Sequence, residues 1–184
     1  MKKLLFITLF SAVLVGCSAP AALNFTPNEL QPVQPTQKIN AEIKTINVSV
    51  ATKEEQKGEL QVGFLGNEYE QSFKSTLKSS VEESLARTAI FKDDAPTKLT
   101  LIAKVLKFES PGSGVNFDTN MIMKYSFIDR NTGGTIYDTE VSSFGSVPFN
   151  YAFAGFVRAT EARNRAVKEN ITKLIEDLKQ HKFK

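Results

Sequence analysis

A mixed α+β domain with the element order β-α-β-β-β-α is what this 184-residue sequence predicts, built as an antiparallel sheet with two helices packed on one face. Three observations carry that expectation. Apolar residues recur at steps of three and four in two long stretches, they alternate with a period of two in others, and a glycine pair joins two of the alternating stretches.

The first alternating stretch is AEIKTINVSVA, where Lys44, Ile46, Val48 and Val50 interleave with Thr45, Asn47 and Ser49, the mark of a half-buried strand. The charged TKEEQKGEL beyond it predicts a loop, and residues 61–65 a short extra strand or a turn. Asn67 then stands as an N-cap with Glu70 three residues on, a pairing that satisfies free amides and sets negative charge at a helix start. Tyr69, Phe73, Leu77, Val81 and Leu85 follow on one stripe, flanked by the small Ser72, Thr76, Ser80 and Ser84, so this helix can lie close on a sheet. It is expected to end near Arg87, with Ile90 and Phe91 closing the corner.

Residues 99–108 are apolar on both phases, as in a central strand, and the Ser-Pro-Gly-Ser-Gly cluster at 110–114 turns the chain. Val115, Phe117, Met121, Met123, Tyr125 and Phe127 alternate with polar residues as the next strand. Asp129 to Gly134 reads as a hairpin with glycines where a positive φ is needed, and residues 135–147 as the returning strand, stopped by Pro148. The last element is a helix with Ala159, Ala162, Ala166, Val167, Ile171, Leu174, Ile175 and Leu178 on one stripe. Arg163, Lys168, Glu169, Lys173, Glu176 and Lys179 lie outside that stripe.

Ahead of the domain, Met1-Lys2-Lys3 and the apolar run to Val15 make a basic start and a hydrophobic stretch of about a dozen residues, short of the roughly 20 a membrane span needs. Leu14-Val15-Gly16-Cys17 at its end resembles the lipobox of bacterial lipoproteins, and Cys17 is the sole cysteine. The resemblance implies cleavage before Cys17, a diacylglycerol thioether on its sulfur and an acyl group on its amine. Ser18 at the second mature position implies sorting to the outer membrane. With about 0.8 kcal/mol for each buried methylene, two or three chains make a stable anchor. The chain thus divides into a lipoprotein signal peptide (1–16), a lipidated cysteine and proline-bearing tether (17–40) and one globular α+β domain (41–184). Four of the seven prolines fall in that tether, whose roughly 22 residues would average about 25 Å end to end if flexible.

Of 23 basic side chains, Lys2 and Lys3 leave with the signal peptide, and the remainder faces 20 acidic ones at a net charge near +1. That balance makes no electrostatic case for nucleic acid. With Cys17 acylated there is no cysteine for a disulfide, a metal or a nucleophile, and His181, in a lysine-rich tail, is a poor triad member. Gly112-Ser113-Gly114 lacks the lysine and helix of a phosphate loop, and Asp93-Asp94 and Glu82-Glu83 read as solvated pairs. No catalytic residue, metal ligand or cofactor is expected. An enzyme of envelope sugars or lipids would need carboxylates such as Asp118 or Asp138 to converge in a pocket.

One stretch stands apart: PFNYAFAGF crowds Phe149, Tyr151, Phe153 and Phe156 between a strand end and a helix start. Such aromatics either plug the end of a sheet–helix core or stand exposed as a patch for a partner protein or a lipid surface.

The lipobox, the tether, the helix EQSFKSTLKSSVEESLARTAIF, the strand KLTLIAKVLKF, the hairpin YSFIDRNTGGTIYDTEV and the closing helix AVKENITKLIEDL together resemble small Gram-negative outer-membrane lipoproteins of the YajG type. The resemblance implies a protein on the periplasmic face of the outer membrane, held through its lipid, serving as a non-enzymatic binding or accessory subunit beside an envelope protein partner. A peptidoglycan-binding anchor is a further reading, suggested by the Arg/Ala-rich start of the last helix.

Overall fold

Six elements follow one another in the expected order: β1 (Ala41–Val50), α1 (Asn67–Thr88), β2 (Thr97–Glu109), β3 (Phe117–Asp129), β4 (Thr135–Val147) and α2 (Gly155–Gln180). The structure, a computed structural model, describes residues 22–61, 67–110 and 113–181. The expected lipobox, the lipidated Cys17 and the sorting residue Ser18 lie outside the described residues, as do residues 62–65 of the short element expected over 61–65.

The strands form one sheet in the order β1-β2-β3-β4. The pairs β2–β3 and β3–β4 are antiparallel, as hairpin-linked neighbours must be, but β1 runs parallel to β2, so the sheet is mixed and not purely antiparallel. The reason is connectivity. α1 carries the chain back across one face to the end where β1 began, and a strand re-entered that way runs parallel to its predecessor.

Both helices cover the same face. Leu99, Leu101, Ala103 and Val105 of β2 and Met121, Met123, Tyr125 and Phe127 of β3 are buried in one cluster with Phe73, Leu77 and Val81 of α1 and Val167, Ile171 and Leu174 of α2. Full burial of a large apolar side chain contributes about 1.5–3 kcal/mol, which makes this cluster the main source of stability. A bulge explains why β2 is apolar on both phases: Leu106 is an extra residue between the Val105–Met123 and Lys107–Ile122 pairs, so Val105 and Phe108 both face the helices. The small flank of α1 behaves as its residue types suggest. Ser84 and Thr88 are buried, and their hydroxyls donate to the carbonyls of Ser80 and Ser84 at 2.6 and 3.0 Å.

The segment expected as a free tether is, from residue 22 on, part of the domain. Phe25 is fully buried, edge-on to Phe73 with ring centroids 5.1 Å apart, and Phe73 meets Phe108 in turn. Asn164 of α2 clamps the strap at two points, accepting the Asn24 amide at 3.0 Å and donating to the Ala22 carbonyl at 3.2 Å. Further on, Thr26 donates to Glu83, the Val33 amide to the Thr88 carbonyl, and the Ile39 amide to the Ile90 carbonyl. The strap therefore runs along the two helices from their first halves to the end of α1. Its prolines suppress regular structure without preventing burial, because Leu23, Phe25, Leu30, Val33 and Ile39 supply apolar surface between them.

α2 lies against β3 and β4, and at one point its backbone touches the sheet directly. A Cβ on Gly145 would collide with the Ala162 carbonyl and the Ala166 amide nitrogen. The helix also covers the outer edge of β4: Glu169 accepts the Phe144 amide at 2.8 Å, Lys173 donates to the Ser142 carbonyl at 3.0 Å and Arg165 to the Ser146 carbonyl at 2.9 Å. Edge groups that would otherwise recruit another strand are taken within the chain.

Candidate functional site

The candidate site is the end of the sandwich where β4 leaves the sheet and α2 begins. Pro148, unable to donate to a ladder, stops β4; residues Phe149–Tyr151 make a single 3-10 turn, and α2 starts at Gly155. Beneath this corner sits a second apolar cluster of Phe117, Val147, Ala159 and Ala162. Because these four fill the end of the core, the aromatics of the loop are left outside it. Phe153 is 98 % exposed, and Phe149, Tyr151 and Phe156 are each about half exposed or more. The core-plug expectation for these four residues is therefore overturned: their side chains stand exposed. Val115 and Phe144 complete the set of exposed large apolar side chains among the described residues.

Arginines hold the corner in shape. Arg158, 5 % exposed, has its guanidinium 5.2 Å from the centroid of the Phe117 ring and 4.7 Å from that of Phe149, and donates to the Val115 carbonyl at 2.7 Å. Its Nε has no hydrogen-bond partner. Arg165 lies over the Tyr151 ring at 5.2 Å and pairs with Glu161 at 2.8 Å. A cation on an aromatic face contributes about 0.5–2 kcal/mol, more when dry, so the buried Arg158 supports the Phe149 side of the patch more than Arg165 supports Tyr151.

Two polar groups inside α2 were not foreseen in this role. Arg163, expected on the polar face, is buried; its Nε donates to the Ser110 hydroxyl at 2.9 Å and its NH1 to the Tyr69 hydroxyl at 3.1 Å. Asn170, fully buried, accepts from the Tyr125 hydroxyl at 2.8 Å and donates to the Val141 carbonyl at 2.9 Å and the Ser143 hydroxyl at 3.0 Å. Burial pushes the Tyr125 phenol well above its usual range, so it stays a neutral donor. Each set closes on itself and reads as structural. The one available signal was position: Asn170 sits one residue from Ile171 in the apolar stripe.

The carboxylates that an enzyme reading needs to converge are kept apart. Asp118 accepts from Ser146 and Asp138 pairs with Lys124 at 3.0 Å, on opposite halves of the β3–β4 ladder, eight residues apart along β4 and so roughly 27 Å from each other. The helix-free face of the sheet carries ion pairs in place of a pocket of free acids. Glu42 pairs with Lys44 and Lys98, Glu55 with Lys104, and Glu140 with Lys57. Hydrogen bonds from Lys44 and Lys98 hold the Glu42 carboxyl below its ordinary value, and Lys104 does the same for Glu55. His181 stacks on the Tyr137 ring at 3.9 Å, at the far end of α2. Among the described residues no group of histidine, cysteine or carboxylate side chains is arranged to hold a metal, and no helix is long and apolar enough to cross a membrane.

What fold and site define together is a small α+β sandwich with an exposed aromatic end. No family model matches the chain, and no curated protein matches its sequence. Solved structures do. Protein XCC0632 from Xanthomonas campestris is similar at a TM-score of 0.50 and 14 % identity, covering 84 % of this chain and 90 % of that one. A candidate lipoprotein from Caulobacter crescentus CB15 is similar at 0.44 and 16 %, covering 73 % and 87 %, and a minor lipoprotein from Acinetobacter baumannii at 0.41 and 10 %, covering 74 % and 90 %. The likeness to XCC0632 is one of fold.

Proposed function

We propose that this chain is a lipoprotein of the cell envelope, acylated on Cys17, directed by Ser18 to the outer membrane and held on its periplasmic face, where it acts as a non-enzymatic binding or accessory subunit of an envelope assembly. The observation that carries the binding role, whether the surface bound is a protein or the bilayer beside it, is the aromatic end: Phe149, Tyr151, Phe153 and Phe156 stand in water on a support of Phe117 and Arg158. Clustered exposed aromatic side chains of this kind mark interaction surfaces. The anchor rests on the basic start, the apolar run and the LVGC that ends it. The helix-free sheet face, with its ion pairs mutually neutralised, is a second surface open to a protein.

Two measurements test this. The mass of the mature N-terminus should equal that of a triacylated Cys17; an unmodified thiol on an uncut chain overturns the anchor. Photo-crosslinkers placed in cells at Phe153 and at Ser126, on the helix-free face, should give an adduct with one envelope protein from at least one position. Absence of protein adducts from both overturns the accessory role.

A further inference from the structure

The first contacts of the strap with the helices fix which part of the domain lies next to the segment that leads to Cys17. The Ala22 carbonyl is tied to Asn164 of α2, and Phe25 is locked against Phe73 in the first turns of α1. The strap then runs away from that end, reaching the Thr88 carbonyl at Val33. The chain thus enters over the first halves of α1 and α2, nearer to the end where both helices begin, β3 starts and β4 stops, which is the end that carries the aromatic patch, than to the opposite one. Asn164 is eight residues from Phe156 along α2, about 12 Å. Only four residues lie between Cys17 and Ala22, and the five steps reach at most about 18 Å fully extended. If Cys17 is the lipid anchor, the fixed entry point shortens the leash from some two dozen residues to five, and the aromatic end stays within roughly 30 Å of the anchored sulfur.

We infer that Val115, Phe149, Tyr151, Phe153 and Phe156 form a docking surface for the lipid bilayer in which the chain's own acyl groups are embedded. The inference rests on the anchor reading above and adds a fixed orientation to it. The chemistry suits the headgroup boundary: phenylalanine rings bury apolar area at the acyl edge, while Tyr151, with Arg165 over its ring, has an amphipathic tip of the kind enriched there. A lipid chain tethered within reach makes even weak patch contacts effective, since the second binding event is then intramolecular. The opposite end, with the polar Asp129–Gly134 hairpin, points into the aqueous compartment, and the helix-free sheet face stands sideways to the membrane, open to a partner.

The test uses the full-length lipidated protein in vesicles of phosphatidylethanolamine and phosphatidylglycerol carrying nitroxide-labelled acyl chains. Cys17 is acylated, so Phe153→Cys and, separately, Asn131→Cys each supply one free thiol for an environment-sensitive fluorophore. Label at 153 should shift to the blue and be quenched several-fold more than label at 131. Protein that floats with the vesicles while both labels remain equally water-exposed overturns the docking and leaves the anchor standing. Protein that fails to float overturns the anchor and the docking together. An envelope-protein adduct from the Phe153 photo-crosslinker in cells, together with a 153 label left unquenched in the vesicles, overturns the docking in favour of a protein partner.

Discussion

The two connections that flank β4 differ in every respect that matters. The one that leads into it, from Asp129 to Gly134, satisfies its own backbone: Asp129 Oδ1 accepts the amides of Asn131 and Thr132 at 2.7 and 3.2 Å, Gly133 adopts φ 72°, and no large apolar side chain is present. The one that leads out, from Pro148 to Gly155, makes little use of its own polar groups and stands on neighbours, chiefly Arg158 and Phe117. A turn that closes on itself needs no partner, whereas one that holds aromatic rings in water retains surface with more to gain from contact.

The comparison breaks most severely at the point where α2 is seated. Gly145→Val drives a side chain into the helix backbone and should lower stability by more than about 3 kcal/mol, or abolish the aromatic corner altogether, as read by denaturant unfolding. Asn170→Leu strands the Tyr125 hydroxyl and the Val141 carbonyl and should cost about 2–6 kcal/mol in the same measurement, at one to three for each orphaned group. A paired experiment sharpens the contrast between the ends. Arg158→Ala should cost about 2 kcal/mol and loosen Phe149, whereas Arg130→Ala at the hairpin, where the guanidinium only meets Thr45 in solvent, should stay within about 0.5 kcal/mol.

A smaller effect comes with acid. Lys44 and Lys98 hold Glu42 below the ordinary carboxyl value of 4.5, and Lys104 holds Glu55 below it. Burial would raise Glu169, but its bonds with Lys173 and the Phe144 amide outweigh that and leave it lowered. The folded state therefore binds fewer protons than the unfolded state near that value. The stability from these groups is complete above about 4.5 and drains away as pH falls through the lower folded values. A melting-temperature profile that rises on acidification below 4.5 would contradict this. Smallest of all, Phe153→Ser should leave the melting temperature unchanged, because a side chain 98 % exposed has no contacts to lose, and any measurable drop would return the residue to the core.

Much of the fold was legible because its signals are local. β4 begins and ends where the Gly133-Gly134 turn and Pro148 place it, and Tyr69 to Leu85 announce the buried face of α1 by period alone. The aromatic quartet was legible as a feature but not as core or surface, since exposure depends on whether Phe117, Val147, Ala159 and Ala162 already fill the space behind it. Arg163 misled for a related reason: a guanidinium reads as polar, but Ser110 and Tyr69, distant in the chain, give it partners in the interior. The strap misled through its prolines, which report the lack of a periodic backbone and say nothing about whether Phe25 finds Phe73.

By itself the sequence determined the six elements, the faces that α1 and β3 bury and the absence of a usable thiol beyond Cys17, because periodicity, turn chemistry and residue counts act within a few neighbouring residues. Only the tertiary structure decided that β1 runs parallel to β2, that residues 22–40 pack as part of the domain with Ala22 tied to Asn164 in the first half of α2, and that the aromatic quartet stands exposed. Those outcomes depend on contacts between residues as far apart as Ala22 and Asn164, where packing across the fold, and no local preference, sets the lower free energy.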